Sequence, residues 1–354
     1  MITDKRILVT GGTGSLGKVL IKRMLSGSDG NPAKIIILSR DEAKQHSMRV
    51  EYQQKRNVTD DIIYRDFERI LEFRIGDVRD YHTICSAVNN VDIVINAAAL
   101  KQVPTCEYHP YEAVMTNITG AENIVRAIGE NQFPVETVVG VSTDKACKPV
   151  NVMGMTKSIQ ERILINGNLC CSHTRFICVR YGNVLASRGS VIPFFHEQIK
   201  NGGPVTITTP DMTRFLLSLE DSVDTIFAAI KCAVRGETYI PKIPAARIVE
   251  VATALIGDRN IEIKYIGIRP GEKIHEILVS EEEGWRTYDR GDYYVILPIL
   301  PELRIQPESM TYEYLNKEYS SADNLFSFEQ VRELLEKHKL MIGQELVIEG
   351  EFLR

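Results

Sequence analysis

Seven cysteines in 354 residues (Cys85, Cys106, Cys147, Cys170, Cys171, Cys178 and Cys232) form no C-x-x-C pair, and their number is odd. This excludes a disulfide framework and a ligand set with zinc spacing, so reduced thiols, a cytoplasmic location and no bound metal are expected. The chain also lacks an apolar run near the roughly 20 residues that span a bilayer, and its first residues carry no secretory h-region. No membrane partner is expected. Charge of one sign is absent too: 42 Lys and Arg face 47 Asp and Glu, a net −5. Without a basic footprint, nucleic acid is not an expected partner. There are no internal repeats and no low-complexity segments. What remains is 44% apolar and 25% charged residues, ordinary for a water-soluble globular chain large enough for one α/β domain with a smaller lobe.

The most informative stretch is Ile7-Leu8-Val9-Thr10-Gly11-Gly12-Thr13-Gly14-Ser15-Leu16-Gly17. An apolar run stops in glycines spaced G-x-x-G-x-x-G, and a helical pattern begins at Lys18. Strand, tight turn and helix N-terminus in that order converge backbone N–H groups on an anion, and no Cβ obstructs a pyrophosphate. Gly11, Thr13, Gly14, Ser15, Leu16 and Gly17 are the candidate cofactor contacts. The plain alternative is a βα turn with no ligand.

Apolar runs at 6–9, 34–39, 72–75, 93–96, 137–142 and 176–180 read as parallel strands covered on both faces. Helical stretches at 110–130 and 154–165 lie between them. Repeated βα units predict a Rossmann-type doubly wound parallel sheet with its ligand at the carboxyl ends of the strands. After Asn183 the prolines and glycines multiply. The expected organisation is a dinucleotide domain over 1–190, to which later segments may return strands or helices, a substrate lobe over 191–280, and a tail over 281–354. Residues 281–325 read as an extended segment, and Ser327 as the N-cap of a last helix, 328–338.

Ser39, Arg40 and Lys44 follow the second strand where many dinucleotide folds place an acid. A hydroxyl and two cations suit a 2′-phosphate, favouring NADP over NAD, although Asp41 and Glu42 lean the other way. Asp77 and Val78 follow the third strand, where an Asp can bond an adenine amino group. Ala97, Ala98 and Ala99 end the fourth, small enough for backbone to lie against a cofactor.

Ser142-Thr143-Asp144-Lys145 follows the fifth strand, then Met153-x-x-x-Lys157. With the glycine turn, Asn96-Ala97-Ala98, Leu100-Lys101-Gln102-Val103-Pro104, Arg180-Tyr181-Gly182-Asn183, Ser187-Arg188-Gly189, Asp211-Met212-Thr213-Arg214-Phe215 and Arg269-Pro270-Gly271-Glu272-Lys273, the chain resembles the extended short-chain dehydrogenase/reductases. More narrowly it is similar to the UDP-N-acetylglucosamine 4,6-dehydratases of capsule, O-antigen and pseudaminic-acid synthesis, from residue 5 to about 338. Asp144-Lys145, where configuration-retaining members carry Asp-Glu, resembles the branch that inverts C5.

The resemblance implies oxidation at C4 with hydride transfer to NADP, loss of water across C5–C6, and hydride return to C6. It implies Lys145 as the C5 base, largely neutral through burial beside Lys157 and the cofactor. Asp144 would be the acid for the C6 hydroxyl, Lys157 the holder of the nicotinamide ribose, and Asn117 its support. Met153 replaces the usual tyrosine and cannot take a proton, so bound water or Lys145 is left to take the C4 hydroxyl proton. Cys106-Glu107 is either a second acid or a buried, inert thiol. Lys101, Thr143, Tyr181, Asn183, Arg188, Arg214 and Glu272 would contact the UDP-sugar, and Lys101 the cofactor as well. A homo-oligomer, dimer or hexamer, is implied. Two other outcomes stay open: hydride return to C4 with a 5,6-ene product, or a non-catalytic NADP-binding protein.

Overall fold

The computed structural model describes residues 1–58, 67–185, 190–304 and 313–344. Six strands, β1 (Arg6–Thr10), β2 (Lys34–Ser39), β3 (Leu71–Ile75), β4 (Ile93–Asn96), β5 (Thr137–Thr143) and β6 (Arg175–Tyr181), begin and end within two residues of the expected runs. They pair in parallel in the order 3-2-1-4-5-6. That is the doubly wound order, with its switch point between β1 and β4.

Apolar side chains alternate between the two faces. Leu8, Ile36, Val94, Val138 and Phe176 pack under the helices Tyr81–Val88, Gly120–Asn131 and Val152–Cys170. Ile7, Val9, Ile37, Ile95 and Ile177 face Ser15–Leu25 and Leu219–Cys232. Burial on both faces is why these strands read as continuous apolar runs.

The later chain builds small strand pairs and returns to the sheet. β7 (Val205–Ile207) pairs with β11 (Ile263–Tyr265), β8 (Thr213–Phe215) with β10 (Ala245–Arg247), and β12 (Ile277–Val279) with β15 (Tyr319–Ser320). β9 (Thr238–Pro241) adds in parallel beyond β6, followed antiparallel by β14 (Tyr293–Ile296) and β13 (Thr287–Arg290), making nine strands.

Part of the segment expected to be extended is therefore a hairpin on the main sheet. Its Gly291-Asp292 link, with Gly291 at φ +68°, sits between two β-prone runs and is a two-residue hairpin signal. The last helix, Phe328–Lys337, does start at Ser327, whose hydroxyl accepts from Gln330 N–H in a capping box. Its Val331 and Leu335 complete a separate core with Phe195, Val205 and Leu255. The expected helix over 110–130 is interrupted by a π-turn, Val114–Thr119, which carries Asn117.

Among the described residues, no helix is long and apolar enough to cross a membrane, and no group of His, Cys, Asp and Glu could hold a metal ion.

Candidate functional site

The glycine turn lies at the carboxyl end of β1, at the switch point. Gly11 takes φ +68°, and a Cβ there would stand 2.9 Å from the Ala98 backbone. Gly17 is more constrained still: a Cβ would lie 2.5 Å from Gly12 Cα. Gly14 is the N-cap of Ser15–Leu25 and gives the helix no side-chain acceptor, and the first turn holds no acid. Neither the N-cap nor an acid of the first turn satisfies the N-terminal N–H groups, which fits a diphosphate. Thr13 is buried, while Ser15 and Leu16 are half-buried. Thr10 Oγ1 donates to Asn96 Oδ1 at 2.7 Å and accepts from Ala98 N–H at 3.2 Å, tying β1 to the Ala97–Ala99 run beside the turn.

At the end of β2 the Ser39 hydroxyl is already engaged, accepting from Gln45 Nε2 at 2.9 Å. Arg40 is half-exposed, 3.8 Å from Asp77 Oδ2, and Lys44 stands 3.5 Å from Asp41. Burial raises Asp77, but the bonds from Arg79 and the Arg40 charge outweigh it, so its proton affinity falls. Val78 packs on Gly120, and its carbonyl accepts from Asn123 Nδ2 at 2.9 Å. The two cations thus sit beside carboxylates at the place expected for a ribose.

The polar centre lies where β5 ends and turns into Asp144–Ala146. Thr143 Oγ1 donates to Asp144 Oδ1 at 2.7 Å. Lys145 Nζ lies 3.1 Å from Asp144 Oδ1 and 3.1 Å from Glu276 Oε1. Both carboxylates are almost fully buried, and each keeps one oxygen, Asp144 Oδ2 and Glu276 Oε2, without a hydrogen-bond partner. Burial, with Glu276 adding to it, raises the Asp144 carboxyl despite Lys145. For Lys145, burial pulls down but Asp144 and Glu276 outweigh it, and its proton affinity rises. This corrects the expectation of a neutral amine: two carboxylates hold the resting lysine charged.

Glu276 lies three residues beyond the Arg269–Lys273 motif and has no part in the pattern that singles out Glu272. The available signal was an acid directly ahead of the short apolar run Ile277–Val279.

Lys157 is buried and donates to Val141 O and Gln160 Oε1, both at 2.5 Å. Desolvation lowers its pKa to about 8, against the pull of Glu161. Asn117 supports the neighbouring residue instead of the lysine: Nδ2 donates to Thr156 Oγ1 at 2.9 Å, and Oδ1 accepts from Leu100 N–H at 2.8 Å. Met153 is buried with Cys106 and Ala113. Cys106 donates only weakly, to Leu100 O at 3.7 Å, and burial raises its thiol.

Among the substrate candidates, Tyr181 is buried opposite Thr143 on β6, and Asn183 Oδ1 is a buried acceptor without a donor. Arg214 donates to the Thr213, Ile274 and Lys273 carbonyls and stands 3.7 Å from Glu276. Glu272 accepts from Thr208 at 3.1 Å. Lys101 is exposed, and Arg188 lies outside the described residues.

Beneath the site, Arg180 spans two carboxylates. Its Nε and Nη2 donate to Glu161 (3.0 and 2.6 Å), and Nη1 and Nη2 to Glu283 (2.8 and 3.0 Å). Glu161 also accepts from Ser142. This buried lattice fastens Glu281–Gly284 to β5 and β6.

Sheet order and the glycine turn at the switch point define a dinucleotide-type α/β fold, with the polar centre at the carboxyl end of β5. The sequence profile of the polysaccharide biosynthesis protein family matches residues 7–298, and the chain belongs to that family. Proteins named UDP-glucose 4-epimerase from Rickettsia canadensis (45% identical over 302 residues) and Rickettsia conorii (46% over 301) are similar, with 84% of each chain covered. Pen from Bacillus thuringiensis superposes with a TM-score of 0.84 at 33% identity, covering 96% of this chain and 100% of that one. The dTDP-glucose 4,6-dehydratase DesIV from Streptomyces venezuelae, solved with NAD and TYD, shares the fold at a TM-score of 0.63 and 18% identity, covering 76% and 86%.

Proposed function

We propose that this chain is an NAD(P)-dependent enzyme of polysaccharide biosynthesis acting on a UDP-sugar, and that its reaction is the 4,6-dehydration of UDP-N-acetylglucosamine with C5 inversion. The observation that carries the finer reading is Lys145 bridging two buried carboxylates. Exchange of configuration at C4 needs only a hydride carrier and a group for the C4 hydroxyl proton, whereas loss of water across C5–C6 needs a base and an acid side by side.

Gly11, Gly14, Gly17 and the N–H groups after Gly14 would hold the cofactor diphosphate, Arg40 and Lys44 a 2′-phosphate, and Lys157 the nicotinamide ribose. The bound cofactor would supply a hydride acceptor and donor for the sugar carbons. A ketone at C4 acidifies the C5 proton. Lys145 is charged at rest, so it must first pass a proton across the 3.1 Å contact to Asp144, whose affinity for it burial has raised. That transfer turns a buried ion pair into a neutral amine beside a protonated carboxyl. The amine then removes the C5 proton, and the carboxyl protonates the departing C6 hydroxyl.

A second reading, 4-epimerisation, is favoured by the Rickettsia relatives' names. Incubation with UDP-N-acetylglucosamine in deuterated water, followed by NMR, tests both. A C6 methyl with deuterium at C5 is expected. A C4 epimer without C5 deuterium would establish the second reading, a vinylic CH2 the 5,6-ene product, and unchanged substrate a binding protein.

A further inference from the structure

The geometry points to Glu276 as a positioning residue, which fixes where the Lys145 amine lies and how firmly it keeps its proton. The inference rests on Lys145 being the base of the reaction proposed above. Lys145 sits on a three-residue turn, and its four-carbon stem leaves Nζ free to swing. Asp144, adjacent in sequence, limits that motion from one side only. Glu276 comes from more than a hundred positions later in the chain and meets Nζ at 3.1 Å from the other side, so the amine is bridged rather than merely paired.

Glu276 is itself held rigidly. Its backbone N–H donates to Ser321 Oγ at 2.9 Å, and Ser321 N–H donates back to its carbonyl at 2.8 Å. Ser321 Oγ lies 2.7 Å from Thr213 Oγ1, which meets His275 Nδ1 at 2.8 Å. Such bracing aims a side chain within the tolerance a proton transfer requires. Leaving a buried carboxylate oxygen unsatisfied costs about 1–3 kcal/mol. Glu276 Oε2 has no partner.

The charges facing Lys145 are Asp144 on its own turn, Glu276 ahead of β12, and Arg214 from β8. Lys273 faces Glu276, Asp144 and Lys145 itself from the preceding loop. Two anions oppose three cations there, so removing one anion leaves Lys145 short of charge compensation.

The test uses the full chain labelled with 13C at lysine Cε, without substrate. The Lys145 resonance is assigned by its loss in Lys145→Met. Glu276→Gln keeps side-chain length and an oxygen acceptor but drops the charge, and the Lys145 midpoint should fall by roughly one pH unit or more. An unchanged midpoint overturns the proposal. Should Glu276→Gln not fold, Glu276→Asp keeps the charge one methylene further back and should give a smaller fall; equality with the parent overturns it. In the active enzyme, the acid limb of C5 deuterium exchange should move to lower pH with the titration, and a limb that stays put while the titration moves overturns the positioning role. A parent protein with no C5 exchange sinks the functional reading alone, because the titration still judges Glu276.

Discussion

Met153 decides what chemistry the residues around it must do. Its thioether is buried against Cys106 and Ala113 and can neither give nor take a proton. If it serves only to fill space, Met153→Leu should cost less than about 1.5 kcal/mol and leave turnover within about twofold, read by a urea melt and by initial rates. A large loss of rate with stability intact would give the sulfur a role. Lys145→Ala is expected to abolish C5 deuterium exchange while the cofactor still binds, checked by NMR and cofactor titration. At the cofactor end, Arg40→Ala should weaken NADP far more than NAD in paired calorimetric titrations. Equal losses would leave Arg40 as the surface partner of Asp77. The polar residues at the end of β5 were legible because Asp144, Lys145 and Lys157 lie close together in sequence. Lys145's charge was not, because it depends on Glu276, more than a hundred positions away, and only the fold brings the two together. Asn117 was singled out by resemblance alone, and its partners are Thr156, one residue short of the lysine, and the Leu100 backbone.

At the scale of elements, the lattice of Glu161, Arg180 and Glu283 joins strand, helix and C-terminal turn. Removing the cation alone strands two buried carboxylates. Arg180→Met is therefore expected to cost about 3–5 kcal/mol, measured as a shift in the urea midpoint. The lattice also sets an acid limit. Burial would raise Glu283, but Arg180 outweighs it and holds its pKa at about 2, below the ordinary 4.5. A depressed carboxylate contributes stability above its unfolded value, and that contribution is lost as pH falls from about 4.5 towards 2. Glu283→Gln should be less stable at pH 7 and flatter across that window. The strands were legible because burial on both faces leaves an unbroken apolar run. The hairpin β13–β14 was less so: its tyrosines and charges mask the alternation, and Gly291-Asp292 was its only strong mark.

For the whole molecule, the cost of keeping a cation ready in the interior appears at Lys157. Burial lowers its pKa from 10.5 to about 8. The unfolded chain then binds more protons between those values, so stability rises with pH across the window. Lys157→Met should be more stable than the parent at pH 7, and the gap should close towards pH 10.5 in urea melts of cofactor-free protein. A gap independent of pH would mean that charge burial is not its source.

The glycine turn from Gly11 to Gly17 lies near the start of the chain, whereas the carboxylate that braces the Lys145 amine comes from position 276 and is secured by Ser321. A ribosome finishes the first long before the second. The two ends of the proposed site are thus made at different moments of the same chain's synthesis, and the surroundings of Lys145 are complete only once Glu276 and Ser321 have been added.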